Sequence, residues 1–339
     1  MKKINYLIFM VLLIATALYA QADRNGTAGA SELLISVGAR GVAMGGATVT
    51  SASGIDAMYW NPANVAKGNN GFELVASHRT FIADLAVVYG AISVKTGALG
   101  SFGFSMKSLS MDPIQKTTVI NPDGTGQTFK PQHIVVSANW SKLLTDKISV
   151  GVNAKYVSET IDLVSANGLA FDFGVNYADL ADIDGLDFAV VLRNFGGDMA
   201  FDGSALWTKA ENTDQRRGPQ WYKVDAAEFS LPTAFDIALG YELGLGETSA
   251  LNFATVYTNS NFYAEEYKFG VEYGYDNLFF LRGGYIHTAG FESSDVVLKL
   301  SFGAGLNYNF GGLNVKFDYA YVPAEYFTDT HLISIGLGL

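Results

Sequence analysis

The chain contains no cysteine, which excludes disulfides, thiolate metal sites, a cysteine nucleophile and a lipid-modified cysteine anchor. Charge is scarce as well. Only 16% of the 339 residues are Asp, Glu, Lys or Arg, against about 25% in an ordinary soluble domain. Basic residues are the smaller share, and a net charge of −11 argues against a nucleic-acid partner, because phosphate binding needs clustered Lys and Arg. Beyond residue 20 no apolar run approaches the roughly 18 residues that a spanning helix needs. What is present is 37 glycines, 13% aromatic residues and 49% hydrophobic residues.

The first 22 residues read as a secretory signal peptide. Lys2 and Lys3 precede an apolar stretch from Leu7 to Leu18, followed by Ala20-Gln21-Ala22. The stretch is too short to span a bilayer, and the small residues suit a cleavage site. Cleavage after Ala22 removes two of the 22 basic residues and none of the 33 acidic ones, so the exported chain carries a net charge of −13.

From about residue 72 the dominant signal has period two. Phe171, Phe173, Val175 and Tyr177 alternate with Ala170, Asp172, Gly174 and Asn176. Successive strand side chains point to opposite faces, so each segment has one greasy face and one small or polar face. Fourteen segments follow this rule, at about 72–78, 85–95, 99–108, 132–142, 147–158, 168–178, 186–196, 233–243, 248–259, 264–275, 278–288, 295–310, 313–322 and 330–339. Most approach the 9–11 residues that a tilted strand needs to cross a bilayer.

The connections alternate too. After even-numbered strands they hold roughly 2–7 residues, including Asp276-Asn277 and Gly311-Gly312, which suit tight hairpins. After odd-numbered strands they hold roughly 6, 23, 9, 36, 4, 6 and 7. Short periplasmic turns and longer outward loops are the habit of outer-membrane barrels, and an even strand count puts both chain ends in the periplasm. Tyr308 and Phe310 fall at one end of the greasy face and Tyr319 and Tyr321 at the other, as interfacial girdles do. The expected fold is all-β membrane: an antiparallel transmembrane β-barrel of about 14 strands over residues 72–339. Closure satisfies every backbone donor within the lipid. Its place is the outer membrane of a Gram-negative-type bacterium, with outer-membrane lipid as a partner.

Residues 23–71 do not alternate. Small residues surround one arginine in a stretch that includes Gly38, Arg40, Gly41, Met44, Gly45 and Gly46. The glycine spacing is not that of a nucleotide loop, and no βαβ unit follows. Small residues pack closely where space is tight, so this segment is expected to be a plug, or hatch, inside the barrel lumen.

The stretch Val37-Gly38-Ala39-Arg40-Gly41-Val42-Ala43-Met44-Gly45-Gly46-Ala47, paired with Ala57-Met58-Tyr59-Trp60-Asn61-Pro62-Ala63, resembles the N-terminal signature of PorV/PorQ-type outer-membrane proteins. More distantly it is similar to the FadL long-chain fatty-acid transporters, which share the Asn-Pro-Ala element. The resemblance implies a 14-stranded barrel with an N-terminal hatch, closed by Asn61, Pro62 and Ala63. Two departures stand out: Asn64 occupies a position where glycine is common, and the chain ends Gly336-Leu337-Gly338-Leu339 rather than in an aromatic residue.

Chemistry is sparse. His78, His133, His287 and His331 show no metal-ligand spacing, and Asp112, Asp123 and Asp202 no calcium-loop spacing. His78, His287 and Asp84 lie near outward strand ends, where they read as rim residues. No catalytic, cofactor-binding or metal-binding residue is assigned, and the chain is not expected to be an enzyme. Lys155, Arg282, Lys299 and Lys316 share the lumen face with Asp172, Asp236, Glu242 and Asp318, which implies internal ion pairs that Arg40 joins. The long outward loops, about 109–131 and 197–232, are the candidate recognition surfaces. The second carries Phe201, Trp207, Trp221, Tyr222 and Phe229 beside Arg216 and Arg217, a composition suited either to partner binding or to capping the barrel mouth.

Two functions fit this fold. The PorV/PorQ resemblance implies a component of type IX secretion that binds or shuttles exported cargo proteins through its outward loops. The alternative is a FadL-like transporter of long-chain fatty acids or other hydrophobic molecules across the outer membrane. It would need an apolar groove under the long loops and a strand kink, for which Gly283-Gly284 is the candidate.

Overall fold

In a computed structural model the described residues are 28–211, 218–291 and 296–339. The expected signal peptide over residues 1–22, and Arg216 and Arg217, lie outside the described residues. Fourteen long strands form the wall: β1 (Phe72–Thr80), β2 (Ala86–Lys95), β3 (Ser101–Ser110), β4 (Gln132–Leu143), β5 (Ile148–Ile161), β6 (Val164–Tyr177) and β7 (Leu186–Gly196). The second half comprises β8 (Ala234–Gly244), β9 (Ser249–Ser260), β10 (Glu266–Tyr275), β11 (Phe279–Thr288), β12 (Leu300–Phe310), β13 (Leu313–Val322) and β14 (Thr330–Gly338). Each pairs antiparallel with its neighbours in sequence, and β1 pairs with β14, so the sheet closes into a 14-stranded barrel. Among the described residues no helix is long and apolar enough to cross a membrane.

The period-two pattern sorts side chains as lipid outside and packed interior inside demand. On β6, Phe171, Phe173 and Val175 are exposed on the outer surface, while Ala170, Asp172 and Asn176 are fully buried within. The tight turns follow their residue chemistry. Asp276 and Asn277 have φ of +54° and +50°, the left-handed pair of a type I′ hairpin.

Three sequence expectations need correction. The third outward loop is not nine residues long: β5 and β6 each run to 14 residues and turn at Asp162-Leu163, because the polar stretch around Glu159 and Asn167 continues the ladder beyond the apolar band. Strand β12 begins at Leu300, so Val296 and Leu298 lie outside it. Finally, Gly283 and Gly284 form no kink, since both keep regular partners, Val271 and Gly270 on one side and Phe302 and Ser301 on the other.

The described part of the N-terminal segment has no long element, only short turns at Ser31–Leu34, Gly54–Ala57 and Pro62–Lys67 and a five-residue helix α1 (Ala39–Ala43). Inward side chains from strands all round the ring bond to it. Lys107 on β3 donates to the Leu33 and Ile35 carbonyls, and Asn153 on β5 to the Met58 carbonyl. Ser301 on β12 donates to the Ala43 carbonyl, and Ser334 on β14 accepts from the Ala39 amide.

Candidate functional site

The two halves of the N-terminal motif are one contact. Trp60 is buried, and its indole lies on Gly41 so closely that a Cβ there would overlap the ring. Tyr59 meets Trp60 edge to face and donates to the Leu33 carbonyl. Gly38, Gly45 and Gly46 take positive φ, which glycine adopts without strain, and Met44 is fully buried. Asn61 caps the following turn: its Oδ1 accepts from the Ala63 amide while its Nδ2 donates to the Val49 carbonyl. Pro62 opens that turn where no donor is needed. Asn64 earns its place as well, because its Nδ2 donates to the carbonyls of Val49 and Thr50.

Charges tie this segment to the wall. Arg40 forks onto Glu272 with Nε–Oε2 and Nη2–Oε1 distances of 2.9 and 2.8 Å. Arg282 bridges Glu272 to Asp318, and Lys316 reaches Asp56 at 3.1 Å. Burial alone would raise the Asp56 pKa, but Lys316, with Arg40 and Arg282, holds it below the usual carboxylate value. Lys155 pairs with Asp172 at 2.7 Å and Arg193 with Asp236 at 2.8 Å. Lys299 instead reaches Glu325 at the rim, and Glu242 is exposed. Sequence reading missed Glu272 and Arg193. Glu272 shares strand parity with inward Gly270, and that was the available signal.

The outer mouth is closed by apolar packing. Phe201 and Phe229 lie ring to ring at 5.6 Å and pack on Leu33, Val135, Val157, Met199 and Leu231. Backbone bonds join Met199 to Phe229 and Gly29 to Ser230, so the loop meets the start of the described N-terminal segment. Trp207, Trp221 and Tyr222 are not part of this cap. They stay exposed on a small hairpin pairing Trp207–Ala210 with Gln220–Lys223.

Beside the cap the wall is irregular. Asp172 on β6 faces two residues of β7, Arg193 and Asn194, in a bulge where Asn194 has φ of +55°. Asp172 pins the bulge by accepting from the Asn194 amide, Asn153 and Lys155. Above it the β6–β7 ladder ends at Ala170–Gly196 and resumes only as Ser165–Asp202 and Val164–Gly203. Residues 166–169 have no ladder partner on that side, and Met199 fills the space against Gly168. Elsewhere, on the lipid-facing surface of β8–β11, a groove of about 610 Å³ lies among Leu239, Tyr241, Phe253, Phe269 and Tyr285. Inside the same wall, the backbone of Met44 and Gly45 presses on Gly284.

A closed 14-strand barrel of this kind is a FadL-like fold, and the similar solved structures agree. One is described as the CymD monoaromatic hydrocarbon channel: TM-score 0.54, 15% identity, covering 90% of this chain and 97% of that one. The Ralstonia pickettii toluene transporter TbuX matches with TM-score 0.54 at 14% identity, over 88% and 97% of the two chains. A Pseudomonas aeruginosa FadL homologue matches with TM-score 0.50 at 11% identity, over 92% and 99%. No protein-family model and no curated protein matches the sequence. The likeness lies in the barrel fold. It lends no support to the PorV/PorQ reading or to a role in type IX secretion.

Proposed function

We propose that the protein is an outer-membrane channel for a small hydrophobic molecule, and that residues 28–71 are its plug. The observation that carries this reading is the interrupted β6–β7 ladder. A hydrophobic solute needs an entrance that is apolar and able to open without unmaking the barrel. Here the wall already lacks backbone bonds over residues 166–169, and what stops the gap is apolar: Met199, Leu231, Phe201 and Phe229. Displacing such a stopper breaks few backbone bonds and exposes a greasy surface that the solute itself covers. The plug, anchored to the wall by buried charge, keeps the lumen from being an open aqueous pore. The described neighbours that conduct aromatic hydrocarbons support the solute class.

The test is uptake of labelled toluene by cells carrying the protein in an outer membrane that otherwise excludes it. Saturable uptake above the empty-membrane background is expected, falling at least severalfold in Phe229→Asp, which puts a charge in an entrance that must stay apolar. Uptake equal to background would end the proposal. The exposed hairpin of Trp207, Trp221 and Tyr222 is the one feature that suits the cargo-shuttling reading instead. Co-purification of secreted proteins, lost on Trp221→Ala, would favour that role.

A further inference from the structure

Three ionisable side chains that neither the ion-pair network nor the cap uses converge near the outer end of the barrel. His133 and Glu159 are direct cross-strand partners on the inward face of β4 and β5. Glu32, from the first turn of the N-terminal segment, completes the group. His133 Nδ1 stands 3.5 Å from Glu32 Oε2 and 3.6 Å from Glu159 Oε1, and one ligand atom from each of the three lies within 4.8 Å of the others. Two carboxylates buried this close repel unless a positive charge sits between them. Among the described residues no lysine or arginine forms an ion pair with either, so the charge between them is a protonated His133 or a bound cation.

The spacing is informative. At 3.5–3.6 Å the histidine contacts are too long for good hydrogen bonds, and neither His133 Nδ1 nor Glu32 Oε1 has a hydrogen-bond partner. The Glu32 side chain is only 3% exposed, so water does not readily satisfy it. Ligand atoms about 2.1 Å from a tetrahedral ion stand about 3.4 Å from one another, close to the two distances seen. We infer that Glu32, His133 and Glu159 form a binding site for a divalent cation of the zinc class, with an imidazole nitrogen and two carboxylate oxygens as ligands. The donor set suits such an ion better than a calcium ion, which takes six to eight oxygens. Three protein ligands leave a fourth position for water.

The consequence is mechanical. Leu33, next to Glu32, belongs to the apolar cluster that closes the mouth, so a bound ion fastens the tip of the N-terminal segment to the β4–β5 hairpin. The site stands on its own geometry and does not need the transport proposal.

The test uses the full chain in detergent micelles, freed of metal with a chelator and titrated with zinc alone. One equivalent should bind, with only imidazole nitrogen and oxygen ligands in X-ray absorption. Glu32→Gln and His133→Ala should each weaken binding at least about tenfold, while His287→Ala retains the full equivalent. Zinc should also slow proteolysis near residues 28–36 in the wild type and not in Glu32→Gln. Failure of the wild type to bind zinc, or equal binding by wild type and Glu32→Gln, would overturn the assignment.

Discussion

Arg40 shows how one side chain can anchor a segment that has almost no secondary structure. A buried carboxylate such as Glu272 needs a cation, and it has two, from the segment and from β11. Arg40→Ala therefore removes one partner without stranding the acid. A loss on the order of 1–3 kcal/mol is expected, below the roughly 3–5 kcal/mol of an abandoned buried charge. Thermal unfolding in micelles would measure it, with Arg40→Lys falling between the two because it keeps charge but loses the fork. Asp56 adds a pH dependence of known sign. Its folded pKa is depressed, so its stabilisation is fully present above the ordinary value of about 3.9 and is lost as pH falls through the lower folded one. Hydrogen exchange at residues 52–58 should be insensitive to this group between pH 5 and 8 and accelerate below about pH 4. In Asp56→Asn that acid step should vanish.

At the scale of elements, the bulge between β6 and β7 is the feature to perturb. Asp172 holds it, and the buried Lys155 depends on Asp172 for charge. Asp172→Ala should cost about 3–5 kcal/mol, whereas Lys155→Met with Asp172→Asn should restore part of it, since replacing both charges avoids the orphan. A double-mutant comparison of melting temperatures checks both statements. The same element marks the limit of what the sequence discloses. The wall strands were legible because lipid outside and a packed interior impose opposite demands on alternate residues. The type I′ turn at Asp276-Asn277 was legible because its backbone tolerates few residue types. The bulge was not, because Arg193 and Asn194 are a lone polar pair between Leu192 and Phe195, and only pairing with Asp172 on the preceding strand makes one of them extra. The Glu32–His133–Glu159 cluster was equally hidden: its members come from three separate elements, and no local spacing joins them. The aromatic loop divided for a similar reason, since Phe201 and Phe229 meet a cap while Trp207 and Trp221 remain outside on a hairpin that composition alone did not separate.

For the whole molecule, the proposed channel rests on three features together: a closed wall, a segment bonded to it from several strands, and an apolar stopper beside an interrupted ladder. The absence of native cysteine allows a direct test. Gly168→Cys with Met199→Cys places two thiols where Met199 now fills the ladder gap, so an oxidised pair staples the loop to β6 and a reduced pair does not. The measurement is uptake of labelled toluene by cells bearing this variant, before and after reduction. Uptake near the empty-membrane background when oxidised, rising to the wild-type rate when reduced, is the predicted result; the same saturable uptake in both states would contradict an entrance at the gap.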